Sequence, residues 1–153
     1  MLYQLEKLND SEKESVLSAP AYITILIAGA DNDIQEVEIK RSLQLVHIKS
    51  FSESLEISEV YKEIDHDFET QLHEMIDALP RTLEARQKLV VAELEKLNAI
   101  FGKLDATFAQ KYYASLLSFA RFIATAAGGV FGFERISPRE QQFVGLPMLT
   151  EPK

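Results

Sequence analysis

The chain has 153 residues, 46% hydrophobic and 26% charged, with 24 acidic residues against 16 basic ones and a formal net charge of −8. A chain of that length buries roughly 70% of the surface its unfolded form exposes, so a hydrophobic core can hold it without staples. The lack of cysteine removes disulfide frameworks, thiolate nucleophiles and Cys-ligated metal centres, while the negative balance repels phosphate backbones and argues against nucleic-acid binding.

Leu2, Leu5 and Leu8 repeat at helical spacing and predict a short lead-in helix over residues 1–9. The charges in MLYQLEKLNDSEKES sit where an export signal needs an apolar core, so the expectation is a cytoplasmic protein. Asp10 or Ser11 is placed to cap a helix with acids in its first turn. Pro20 is tolerated best in a first turn, so Ser18 is expected to cap a separate helix running to about Ala30. Ile23, Ile25, Leu26 and Ile27 make that helix apolar on nearly every face, the pattern of a helix buried all round and the hub of a core.

The apolar run breaks at Asp31, Asn32 and Asp33, where Asn32 tolerates the left-handed backbone of a tight turn and Asp33 is expected to cap the next helix. Ile39, Leu43 and Val46 share a face of that helix, which ends around residues 49–52. Ser58 to Leu79 reads as one long amphipathic helix, carrying Ile64, Phe68, Leu72, Met75 and Leu79 inward and stopped by Pro80. Thr82 starts another, towards Gly102. Asp105 or Thr107 starts the next, through Tyr112, Leu116, Phe119 and Ile123. The segment 114–133 has one formal charge, Arg121, yet its Ser and Thr residues and terminal glycines read as a core helix and a turn, with no direct membrane insertion. Ser137, Pro138 and Glu140 form a capping-box pattern for a short final helix, SPREQQFVGL, and residues 147–153 read as a tail. No stretch alternates with period two long enough to argue for a sheet. The fold class is therefore all-α, a compact single-domain bundle of about six to eight helices over residues 1–153.

Two turns resemble one another. Ile34 and Glu38 in IQEVE match Ile136 and Glu140 in ISPRE, and each follows an apolar helix ending in small residues, although the second turn is about six residues longer. The stretch AGADNDIQEVE resembles the signature A-D-G-x-I-x-x-x-E of the tellurite-resistance TerB-like family, and the resemblance covers roughly residues 10–50 and 114–146. Asn32 stands where the family has Gly, and Gln35 at a commonly acidic position. The resemblance implies a small all-α, intracellular, stress-related domain of two related helix pairs, which binds proteins, carries acids proposed to chelate metal, and is not an enzyme.

Asp31, Asp33, Glu36 and Glu38 lie within eight residues, and with Glu140 from the second turn they form the candidate metal set, with Glu134 beside it. Their oxygens suit Ca²⁺, Mg²⁺ or Mn²⁺. The spacing is not that of an EF-hand, because from Asp31 the fifth residue is Gln35, the sixth Glu36 and the twelfth Ser42. The other reading of the same residues is a helix junction, with acids capping a helix and favouring its dipole. Glu63 and His66 form one Glu-x-x-His, but neither His47 nor His73 supplies the second that a di-iron bundle needs, and His66 and His73 fall on the polar face. There is no Gly-x-Ser-x-Gly elbow, and the glycines at 128, 129 and 132 lack the Lys-Ser/Thr of a phosphate loop. Arg121, between Phe119 and Phe122, is expected either to pair with Asp31, Asp33 or Glu36 or to carry its charge to water along its stem. The expected function is a non-enzymatic interaction domain with a protein partner. The alternative is a small helical enzyme or carrier with a pocket between its core helices.

Overall fold

The computed structural model describes residues 3–30, 34–128 and 142–153. Among these the protein is all-α: α1 (Asp10–Ala28), α2 (Glu36–Ser52), α3 (Leu55–Asp65), α4 (Phe68–Ala78), α5 (Leu83–Phe101) and α6 (Ala106–Gly128), after a single 3-10 turn at Tyr3–Leu5. The lead-in segment is thus shorter than its leucine spacing predicts. Asn9, one residue ahead of the expected caps, takes the start of α1: its side chain accepts the Glu12 N–H at 2.8 Å, and the Glu12 carboxylate accepts the Asn9 N–H at 3.0 Å. That reciprocal cap leaves no length for an earlier helix.

α1 runs unbroken through Pro20, which corrects the expected division at Ser18. Proline lacks the N–H that would bond the carbonyl four residues back, and in a helix interior it costs about 3 kcal/mol. Here that carbonyl, of Val16, accepts the Tyr112 hydroxyl at 2.6 Å in a buried contact. Full burial of Ile23, Ile25, Leu26 and Ile27 contributes about 6–12 kcal/mol, enough to keep the proline inside the helix. Ser18 is not a cap. It donates to Glu14 and accepts from Gln71 of α4, both at 3.1 Å.

α1 touches each of the other five helices and is the expected hub. Around it Tyr61, Phe68, Phe108, Tyr112 and Phe119 are fully buried, with Phe108 stacked on Tyr112 at 6.3 Å. The long helix predicted over residues 58–79 is instead two, α3 and α4, separated at His66 and Asp67. α3 packs chiefly on α2, with smaller contacts to α1 and α6, whereas α4 packs chiefly on α1. The break lets Ile64 of α3 and Phe68 and Leu72 of α4 all reach the core while the two helices take different main neighbours. α5 and α6 start as expected, after Thr82 and at Asp105, whose carboxylate accepts the Phe108 N–H at 3.1 Å.

The tail, residues 147–153, is fastened to α5. Asn98 of α5 donates to the Met148 carbonyl at 2.9 Å and accepts the Thr150 N–H at 2.8 Å, while Leu146 and Leu149 are buried. Leu146 holds a left-handed φ of 47°, a conformation side chains resist, and full burial keeps it there. The predicted start of the last helix at Ser137 lies outside the described residues; residues 142–144, within its predicted span, form a helical turn.

Candidate functional site

The acidic junction is built from α1 outward. Arg86 of α5 donates to the Gly29 carbonyl at 2.8 Å, placing a cation at the negative end of the α1 dipole, and burial draws its guanidinium below its usual value. Gly29 is required by crowding: a Cβ there would lie 2.5 Å from the Ile25 carbonyl oxygen, 3.0 Å from Arg86 Nη2 and 3.2 Å from Ile34 Cγ1. The cap of α2 is Gln35, where Asp33 was expected. The Gln35 N–H donates to Glu38 Oε1 at 3.0 Å, and Ile34 and Ile39, which occupy the two positions of a hydrophobic staple, both pack on the core. The pattern I-x-x-x-E thereby has a local physical account, in which the isoleucine closes the junction and the acid caps the helix.

Of the candidate metal set, Glu36 is exposed and Glu38 is buried with one oxygen on the Gln35 N–H. Asp31, Asp33 and Glu140, with Glu134, lie outside the described residues, as does the second turn compared with the first. Among the described residues no three His, Asp or Glu side chains stand together as a metal site. Arg121 is exposed on α6 and, among the described residues, makes no ion pair, so it is not the buried cation its aromatic neighbours suggested. The reason is helical geometry: Phe119 faces the core, while Arg121, two residues on, points about 200° away from it. His66 and His73 are exposed, as expected. His47 Nδ1 lies 2.9 Å from Asp65 Oδ2, tying α2 to α3.

The polar cluster with the most connections is one the sequence reading did not single out. Lys49, on the inward stripe of α2, is only 6% exposed. Its ammonium donates to Glu53 at 2.6 Å and to Ser118 of α6 at 2.8 Å, and stands 5.7 Å from the centre of the Tyr61 ring. Ser115 Oγ lies 3.0 Å from both Glu53 Oε1 and the Tyr61 hydroxyl. A carboxylate can only accept, so Ser115 gives its one proton to Glu53 and Tyr61 donates to Ser115. Ser58 donates to the Glu53 carbonyl at 2.9 Å. A helical wheel of α2 carries the signal, since Lys49 shares the face of Ser42, Leu45 and Val46 and has an acid four residues on. Burial pushes the Tyr61 and Tyr112 phenols above their ordinary value, Tyr112 strongly so. Both therefore stay protonated at neutral pH, and the cluster fastens α2, α3 and α6 together through mutually bonded groups.

Two surface pockets are formed by described residues, one of about 280 Å³ between Asn98, Leu104 and Pro152 and one of about 230 Å³ beside Tyr3 and Asp105. Neither lies between α1 and α6. Several large apolar side chains stand in solvent, with Ile48, Phe51 and Leu55 gathered where α2 turns into α3; Phe51 is 65% and Leu55 71% exposed. Among the described residues no helix is long and apolar enough to cross a membrane. No family model, curated protein or solved structure matches the chain.

Proposed function

We propose that the protein is a non-enzymatic, TerB-like interaction domain of the cytoplasm that docks a protein partner. The observation that carries the reading is the exposed apolar corner of Ile48, Phe51 and Leu55, set on a polar cluster whose Lys, Glu, Ser and Tyr groups are bonded to one another. Large apolar side chains gathered at one point of a surface mark contact sites. The acidic junction serves first as a helix junction, and its divalent-cation role and any part in stress or tellurite resistance belong to the family resemblance.

A photo-crosslinking side chain at position 51, with position 73 on the polar face of α4 as control, tests the reading in cells. The expected result is a discrete adduct from position 51 whose partner, once purified, binds the wild-type chain and loses affinity for Phe51→Ala. Equal adducts from both positions, or none from position 51, would sink it. The cation role is tested separately. If Ca²⁺, Mg²⁺ and Mn²⁺ leave the melting temperature and the amide shifts of Glu36 to Glu38 unchanged, it is removed.

A further inference from the structure

Among the described residues, charge is unevenly shared between helices. α3 and α4 carry seven acids against one lysine, while α6 carries Lys111 and Arg121 and no acid at all. α2 shows Lys40 and Arg41 to solvent, with Glu36 at its first turn as its one exposed acid. Among the described residues none of these four cations is in an ion pair. On a chain of net charge −8, the outer face of α2 and α6 is therefore locally basic among the described residues.

The same face carries the apolar side chains. Lys49 meets Ser118 and Glu53 meets Ser115, so α2 and α6 run antiparallel and in this register Leu45 lies alongside Phe122. Phe122 is 37% exposed, and Ile48, Phe51 and Leu55 continue the stripe along α2 into the start of α3. Arg121 follows Ser118 by one turn and Lys111 precedes Ser115 by one turn, so cations flank the stripe on the α6 side; Lys40 and Arg41 stand near its other end.

We propose that this face is a docking surface for an acidic amphipathic helix of a partner protein, a proposal that rests on the reading of the chain as an interaction domain. Apolar residues of the partner spaced three and four apart would cover Ile48, Phe51, Leu55 and Phe122, and Asp or Glu on its flanks would meet Arg41, Lys111 and Arg121. With no sheet edge among the described residues, helix-in-groove packing is the mode of peptide recognition that fits. Range selects the partner. At physiological salt, charges are screened beyond about 8 Å, so a single helix feels the local cations, whereas a bilayer or nucleic-acid duplex also meets the acidic bulk. A symmetric dimer through this face would set like charges against one another.

The test uses the full chain, isotope-labelled, titrated with a 16-residue helical peptide carrying Leu on one face and Glu on its flanks, and with its Glu→Lys counterpart. The expected result is amide shifts confined to residues 40–55 and 111–122 with the Glu peptide alone. Affinity should fall at least tenfold in R41E/R121E and in F51A/L55S, and should weaken with salt. All four positions are exposed, and melting curves of the variants check that they remain folded. Equal binding of both peptides here would refute the acidic partner while leaving the interaction reading intact. If neither peptide binds, the acidic helix is refuted, and the adduct at position 51 decides whether the interaction reading falls too. Shifts elsewhere, binding of anionic phospholipid vesicles through the same residues, or self-association abolished by F51A/L55S would each overturn the proposal.

Discussion

The Tyr112 hydroxyl occupies the place of a missing backbone donor: it bonds the Val16 carbonyl at 2.6 Å, the oxygen that Pro20 cannot reach because it has no N–H. A defect in α1 is thus repaired from α6, and α1 remains continuous where its sequence reads as broken. Tyr112→Phe keeps the ring but leaves that carbonyl unsatisfied in the core, at a cost of about 1–3 kcal/mol. Restoring the N–H with Pro20→Ala should reduce the cost of Tyr112→Phe to about half or less. A double-mutant cycle by chemical denaturation measures this, and an equal cost in both backgrounds would show that the two residues are not coupled.

Alkaline pH should unfold the protein through its buried phenols. Tyr61 and Tyr112 have folded-state values raised above their ordinary value near 10 by burial. From about pH 10 upward the unfolded chain loses these protons while the folded one keeps them. The unfolded state then binds fewer protons, and stability falls as pH rises. The contribution is fully present below about pH 10 and is lost at up to about 2.7 kcal/mol per pH unit for the two groups together. Urea midpoints between pH 8 and pH 11 should show the fall, and Tyr61→Phe should make it shallower. A pH-independent midpoint would contradict the assignment.

The close of α1 should be sensitive to a single methyl group. Gly29→Ala pushes a Cβ against the Ile25 carbonyl and Arg86 and should cost about 1–3 kcal/mol by overpacking. Arg86→Met removes the bond to the Gly29 carbonyl and, because the guanidinium is partly exposed, should cost only about 1 kcal/mol. The two share one contact, so the double variant should lose less than their sum. Thermal melts measure all three; full additivity would mean that Arg86 does not act through Gly29.

Much of the fold is legible in the residues because helices announce themselves locally. The all-round apolar run from Ala19 to Ala28, the stop at Pro80, the start at Asp105 and the inward faces of α5 and α6 all follow from spacing and capping chemistry. What could not be read there depended on partners distant in sequence. Pro20 stays inside the helix with its carbonyl partner satisfied, because Tyr112, 96 positions removed from Val16, supplies a donor and the following isoleucines are buried. The break at His66 and Asp67 accompanies a change of main neighbour, from α2 for α3 to α1 for α4, which no local pattern encodes. Asn98 fastens residues 148–150 with side-chain bonds that composition cannot suggest.

The candidate site divides in the same way. The residues alone carry the all-α class, the buried helix as hub and the acidic start of the next helix, since propensity, burial pattern and capping act within a few residues. It took the packed fold to show that Glu38 folds back on the Gln35 N–H, that Lys49 is buried against Glu53, Ser118 and Tyr61, and that Arg121 and Lys111 face water on α6. Those outcomes depend on the antiparallel register of α2 and α6. That register is fixed by packing and long-range hydrogen bonds, whose energies depend on which surfaces meet.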